Sequence, residues 1–271
     1  MKDGSLSAVF SRTFGAGPRR VLAVHCSLAH SGAWRGLGDI LKDEVTLTGF
    51  DMLSHGRSPD WDGRGDFQTR NVEAGLALLD SEASAVDLIG HSFGATVALR
   101  MAQARPDKVR SLVLIEPVLF AVTRLEAPEL QAALEEEEAP FNDLLRAGEV
   151  EQATRLFNRM WGTGKPKWAD MPEQARASMV RGMKAVPMSF EALYLDDKGL
   201  LKPGALDPVA MPVLLLSGGA SQPVMSLINE GLARRVPRAN TRVVPEAGHM
   251  LPITHAGVTA KILDQFWRGK E

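Results

Sequence analysis

Residues 86–100 read VDLIGHSFGATVALR, and the fold follows from how that stretch is parsed. Val86, Leu88 and Ile89 form a short apolar run of strand type that enters Gly90-His91-Ser92-Phe93-Gly94. A helix-period segment leaves it, with the small residues Ala95, Thr96 and Ala98 near its start. Strand, sharp turn and helix in that order put a serine on strained backbone with its hydroxyl at the top of a sheet. Glycines at 90 and 94 suit a place where strand and helix nearly touch and a side chain would collide. A bare G-x-S-x-G carries little weight. With a strand before it and a helix after it, the pattern marks Ser92 as a nucleophile rather than part of a Gly-rich turn.

Outward from the turn, strands and helices alternate. Upstream, residues 7–14, 20–25 (RVLAVH) and 44–50 read as strands, and 33–42 and 67–79 as helices, the first with Trp34, Leu37 and Leu41 on one face. Downstream, the helix 93–104 stops at Pro106, and 110–115 is a further buried strand ending at Glu116-Pro117. From about residue 120 to 202 no strand is legible. Helix-period segments at 128–138, 141–146, 150–161, 172–186 and 189–195 are broken by Pro and Gly and rich in Met. Alternation then resumes with strand 211–217, helix 224–235, strand 241–244 and helix 255–267. Continuous apolar strands separated by helices predict a mostly parallel twisted sheet covered on both faces, an α/β architecture. Residues 1–118 and 205–271 form the expected core. Residues 119–204 form a helical lid inserted over the C-terminal ends of the strands, where open α/β sheets bind ligands.

Composition narrows the function classes. The chain has 271 residues, 45% of them hydrophobic, and a net charge of −2, which gives no footprint for nucleic acid or an anionic membrane. The longest charge run, Glu135–Glu138, reads as a solvated helix face. A single cysteine, Cys26, excludes an internal disulfide and a thiolate metal cluster, and no metal or cofactor is expected. The N-terminus MKDGSLSAVFSRTF lacks an apolar h-region, and no apolar run reaches the ~18 residues of a membrane span. A cytoplasmic protein acting on a small molecule is the expectation.

A serine nucleophile needs a base, and the base needs an orienting group. Of six histidines, His249 in Ala247-Gly248-His249 lies on a loop after the last strand, in the order Ser, acid, His that this architecture uses. His91, beside Ser92, is expected to point away from the pocket; His25 and His55 to brace loops; His30 to stand at the rim; and His255 to sit on the final helix. The oxyanion needs two donors, expected from the backbone of Phe93 and of Ser27 or Leu28. The acid is less plain, because Ser221 stands after the strand 211–217 where a carboxylate is expected. Glu116, one strand earlier, is the alternative. Asp207 precedes its strand, Asp196 and Asp197 lie in the insertion, and Glu246 is too close to His249 in sequence.

Six stretches resemble the α/β-hydrolase fold, in its lidded esterase, lactonase and C–C hydrolase group: VLAVHCSLAHSGAW (21–34), GFDMLSHGRS (49–58), VDLIGHSFGATVAL (86–99), SLVLIEP (111–117), MPVLLLSGG (211–219) and PEAGHMLPI (245–253). The resemblance implies Ser92 as nucleophile, His249 as base and Phe93 as oxyanion donor, and Glu116 matches relatives that carry the acid after this strand. Three positions depart: Cys26 and Ser54 replace usual glycines, and Ser221 replaces the usual aspartate. Ser rather than Asp at 92 disfavours dehalogenase and epoxide hydrolase chemistry. The expected activity is hydrolysis of a small ester, thioester or lactone through an acyl-enzyme. The alternatives are C–C bond hydrolysis of a diketone-like substrate and a silent ligand-binding protein.

Overall fold

The computed structural model describes residues 9–269; the start of the expected first strand and most of the N-terminal stretch lie outside them. Seven strands form one sheet in the order β1-β3-β2-β4-β5-β6-β7: β1 Ser11–Phe14, β2 Arg19–Val24, β3 Val45–Phe50, β4 Val86–His91, β5 Val109–Ile115, β6 Val213–Gly218 and β7 Ala239–Val244. Only the edge strand β1 runs antiparallel. The chain moves from β2 to β3 on one side and then crosses to β4 on the other. The crevice between the ends of β2 and β4 is therefore the switch point where such sheets bind ligands.

The central strands alternate between two cores. Leu22, Val24, Leu88, Leu112, Leu114, Val213 and Leu215 face one side. There α2 (Phe67–Ser81), α3 (Phe93–Ala104) and α9 (Pro223–Ala233) cover the sheet. Val21, Ala23, Ile89, Val113, Ile115, Leu214 and Leu216 face the other side, under α1 (Arg35–Ile40) and α11 (Ala256–Trp267). Both faces are dry, so continuous apolar strands are what the architecture demands; each buried Leu, Ile or Val contributes about 1.5–3 kcal/mol.

Between β5 and β6 the described chain is helical: α4 (Ala121–Glu126), α5 (Pro128–Arg146), α6 (Val150–Trp161), α7 (Glu173–Met183) and α8 (Phe190–Tyr194). A one-turn α10 (Leu251–Thr254) precedes α11. Two expectations are corrected. The helix broken at 138/141 is one helix, because Pro140 is exposed while Glu138 and Phe141 on either side of it are buried. The run 135–138 is not uniformly solvated: Glu135, Glu136 and Glu137 are exposed, but Glu138 falls in the inward stripe with Gln131, Leu134 and Phe141. Among the described residues no helix is long and apolar enough to cross a membrane.

Candidate active site

Ser92 stands where β4 hands over to α3, with φ 56° and ψ −123°. A non-glycine residue holds that backbone only when its surroundings over-determine it. Here they do. Its N–H donates to the Ile115 carbonyl at 2.8 Å, which extends the sheet one residue past β4. A Cβ at Gly94 would lie 2.3 Å from the His25 carbonyl oxygen, and one at Gly90 would lie 2.4 Å from the Gly94 oxygen. The two glycines let α3 start against the ends of β2 and β4.

His249 arrives from the loop after β7. Its Nε2 lies 2.9 Å from Ser92 Oγ and its Nδ1 lies 3.0 Å from Glu116 Oε2. Glu116 directly follows β5, is fully buried and has φ 50°. Its own N–H donates to Leu216 O at 2.8 Å, and its Oε1 accepts from Gly218 N at 2.6 Å. The carboxylate thus reaches across to the end of β6, the strand after which the sequence carries no acid. Ser221 follows that strand with its Oγ buried and unpaired. With Nδ1–H held by a carboxylate, Nε2 is left to accept the serine proton.

Phe93 is the first residue of α3, so its N–H has no helical carbonyl to meet and is open to an oxyanion. Cys26, Ser27 and Leu28 line the same cavity as Ser92, and Leu28 has φ 62°. The Cys26 thiol is buried and burial pushes it up to about 12, so it is no competing nucleophile. Ser54 holds φ 63°, a conformation glycine adopts without strain, and anchors the loop by accepting from Trp61 N at 3.0 Å.

The remaining histidines are placed outside this hydrogen-bonded line. His25 joins Cys26 O to Met52 N, and His55 bonds Leu53 O, so both brace loops. His30 is a correction: it is exposed, lies away from the cavity lining and caps a short helical turn through Gly32 N. His255 is at the N-cap of α11 rather than within it. His91 Nε2 donates to the His249 carbonyl at 2.8 Å, and this support for the loop was not foreseen.

A cavity of about 520 Å³ opens over Ser92 and His249, roofed by α5, α6 and α8 and mostly apolar, with Val118, Phe120, Phe141, Phe157 and Trp161 in its walls. The ring centres of Trp161 and His249 lie 5.1 Å apart, the planes at 65° in an edge-on arrangement. The sequence places Trp161 on the inward face of its helix-period segment, but nothing in it signals the contact with His249.

Residues 21–262 match the family model described as the alpha/beta hydrolase family. The chain belongs to that family. As an α/β hydrolase it is 27% identical over 267 residues to a pimeloyl-[acyl-carrier protein] methyl ester esterase of Methylococcus capsulatus, spanning 95% of this chain and 98% of that one. It is 42% identical over 105 residues to lipase LipV of Mycobacterium tuberculosis, a match covering 38% of this chain and 39% of the lipase. A solved α/β hydrolase from Sphaerobacter thermophilus aligns over 94% of this chain and 96% of its own at 20% identity with TM-score 0.65, a likeness of fold.

Proposed function

We propose that this α/β hydrolase cleaves a small ester, thioester or lactone through an acyl-enzyme on Ser92. The observation that carries the reading is the unbroken line Ser92 Oγ, His249, Glu116, with contacts of 2.9 and 3.0 Å. Relatives named esterase and lipase support the same reading.

In the proposed reaction, Ser92 Oγ attacks the carbonyl carbon as His249 Nε2 takes its proton. Glu116 holds the ring and stabilises the imidazolium. The N–H of Phe93 and that of Ser27 or Leu28 receive the oxyanion. Collapse breaks the bond to the leaving group, which departs with the proton from His249. Water then attacks the acyl-enzyme with His249 as base, releasing the acid and restoring Ser92. Residues 119–204 serve as the lid that shuts water from the cavity, over a core of 1–118 and 205–271. Within the lid, α5 to α8 do the covering, since α4 packs on α9.

C–C bond hydrolysis would use the same three residues. The silent-binder alternative rests on the absence of an acid at position 221, and the Glu116–His249 contact of 3.0 Å weighs against it. Reaction with a fluorophosphonate tests the proposal directly. The folded protein should take one label, at Ser92, and Ser92→Ala should take none and lose about 10⁶-fold in turnover of p-nitrophenyl acetate. A folded wild-type protein that takes no label overturns it.

A further inference from the structure

One wall of the cavity carries a series of neighbouring rings that begins at the base. From His249 the steps are Trp161 at 5.1 Å, Phe120 at a further 6.2 Å and Tyr194 at a further 4.7 Å, centre to centre. At that third step the Tyr194 hydroxyl donates to Glu138 Oε2 at 2.8 Å. Both residues line the cavity, and both stand outside the hydrogen-bonded line of Ser92, His249 and Glu116.

Glu138 is only 7% exposed, and among the described residues no Lys, Arg or His forms an ion pair with it. A carboxyl in an apolar wall without a cation costs stability, and the fold would be served better there by Leu. Burial, with help from Glu135 and Glu137, pushes this carboxyl up to about 7 against the opposing Tyr194 bond. With Glu138 ionised and the Tyr194 proton on Oε2, the pair offers acceptors: Glu138 Oε1, which no donor reaches among the described residues, and the lone pairs of Tyr194 Oη.

We propose that Glu138 and Tyr194 form a distal polar subsite that takes a hydrogen-bond-donating end, a hydroxyl or an amine, of the chain whose ester Ser92 cleaves. This rests on the serine-hydrolase reading. A chain ending in methyl leaves a buried acceptor unmet, and one ending in carboxylate meets Glu138 as a like charge. The apolar rings of the series fit the methylenes of such a chain.

The test is a ladder of p-nitrophenyl esters of increasing chain length, each length made with a terminal hydroxyl, amine, methyl or carboxylate. At the length that spans the cavity, kcat/KM for the hydroxyl ester should exceed that for its methyl counterpart by about 10- to 100-fold, with most of the difference in KM. In Glu138→Leu that ratio should fall to about one. In Glu138→Gln, which carries no charge, the carboxylate ester should gain on the others. Ratios within one variant cancel any general loss of folded enzyme. A hydroxyl-to-methyl ratio that stays near one at every length, or that survives in Glu138→Leu, overturns the subsite. If no ester is turned over and no fluorophosphonate bound, the serine-hydrolase reading has failed. Calorimetric titration of the protein with aliphatic diols against the matching alkanols then decides the subsite alone: a diol preference lost in Glu138→Leu supports it, and equal binding refutes it.

Discussion

Glu116 has both carboxylate oxygens committed, one to the backbone of Gly218 and one to His249. An amide cannot fill both places. With its oxygen on the Gly218 N–H, the NH₂ of Glu116→Gln would face Nδ1 and seek a lone pair there. The ring proton would then sit on Nε2, aimed at Ser92 and unable to receive its proton. Glu116→Gln should lower kcat by about 10⁴-fold with KM little changed, as steady-state kinetics on a p-nitrophenyl ester will read. A loss below about tenfold would remove Glu116 from the reaction. Glu116 was legible in the sequence for a local reason: it directly follows a strand beside the nucleophile strand, and position 221 is empty of charge. Glu138 was not, because four successive glutamates read as a solvated face. The spacing that betrays it, Gln131, Leu134, Glu138 and Phe141, shows only when the helix is carried through Pro140.

At the scale of elements, α3 is held so close to β2 that a single methyl decides the packing. The Cβ of Gly94→Ala would sit 2.3 and 2.4 Å from two backbone oxygens, of His25 and Val24, which cannot step aside as a side chain can. Gly94→Ala should lose about 3 kcal/mol or more or fail to fold, as judged by urea unfolding. A second contact joins the helical insertion to the sheet loops. Arg181 of α7 donates to Gly56 O at 3.0 Å, Ser58 O at 2.6 Å and Asp60 Oδ1 at 2.7 Å. Asp60 is largely exposed and its pairing is worth little in water, so the two carbonyl bonds carry the latch. Arg181→Ala should free α7 by about 1–2 kcal/mol, seen as roughly tenfold faster amide exchange over residues 173–183 while the sheet exchanges unchanged. Arg181→Lys should restore little, since an ammonium lacks the fork that reaches three acceptors at once. Unchanged exchange in Arg181→Ala would show that apolar packing alone holds the helix. The latch was illegible beforehand because it joins residues more than a hundred positions apart through carbonyls that carry no side-chain signature.

For the whole molecule, the strands were legible because both faces of the sheet are buried, which turns each strand into an apolar run. Their order depends on crossovers that no local pattern encodes. The same close packing sets the response to acid. His25, His55 and His91 are fully buried, and burial pulls them down from 6.5 to about 3, 4 and 3. In the folded chain they are neutral at pH 5, whereas in the unfolded chain they are mostly protonated. The unfolded state therefore binds more protons in this range, and stability must rise with pH there. The contribution of the three rings is complete above about pH 6.5 and is lost progressively as pH falls toward 3–4. One of the three braces the site itself, His91 donating to the His249 carbonyl, while His25 accepts from Met52 N and braces the loop after β3. The urea midpoint, followed by tryptophan fluorescence, should fall steadily from pH 7 to 4.5. In His91→Gln that slope should be shallower by about one proton at a lower overall stability, because the amide can keep the bond to His249 O but has no ring to protonate. An unchanged slope in His91→Gln would mean that His91 titrates alike in the folded and unfolded chain. The acid sensitivity would then have to come from His25, His55 and the carboxylates.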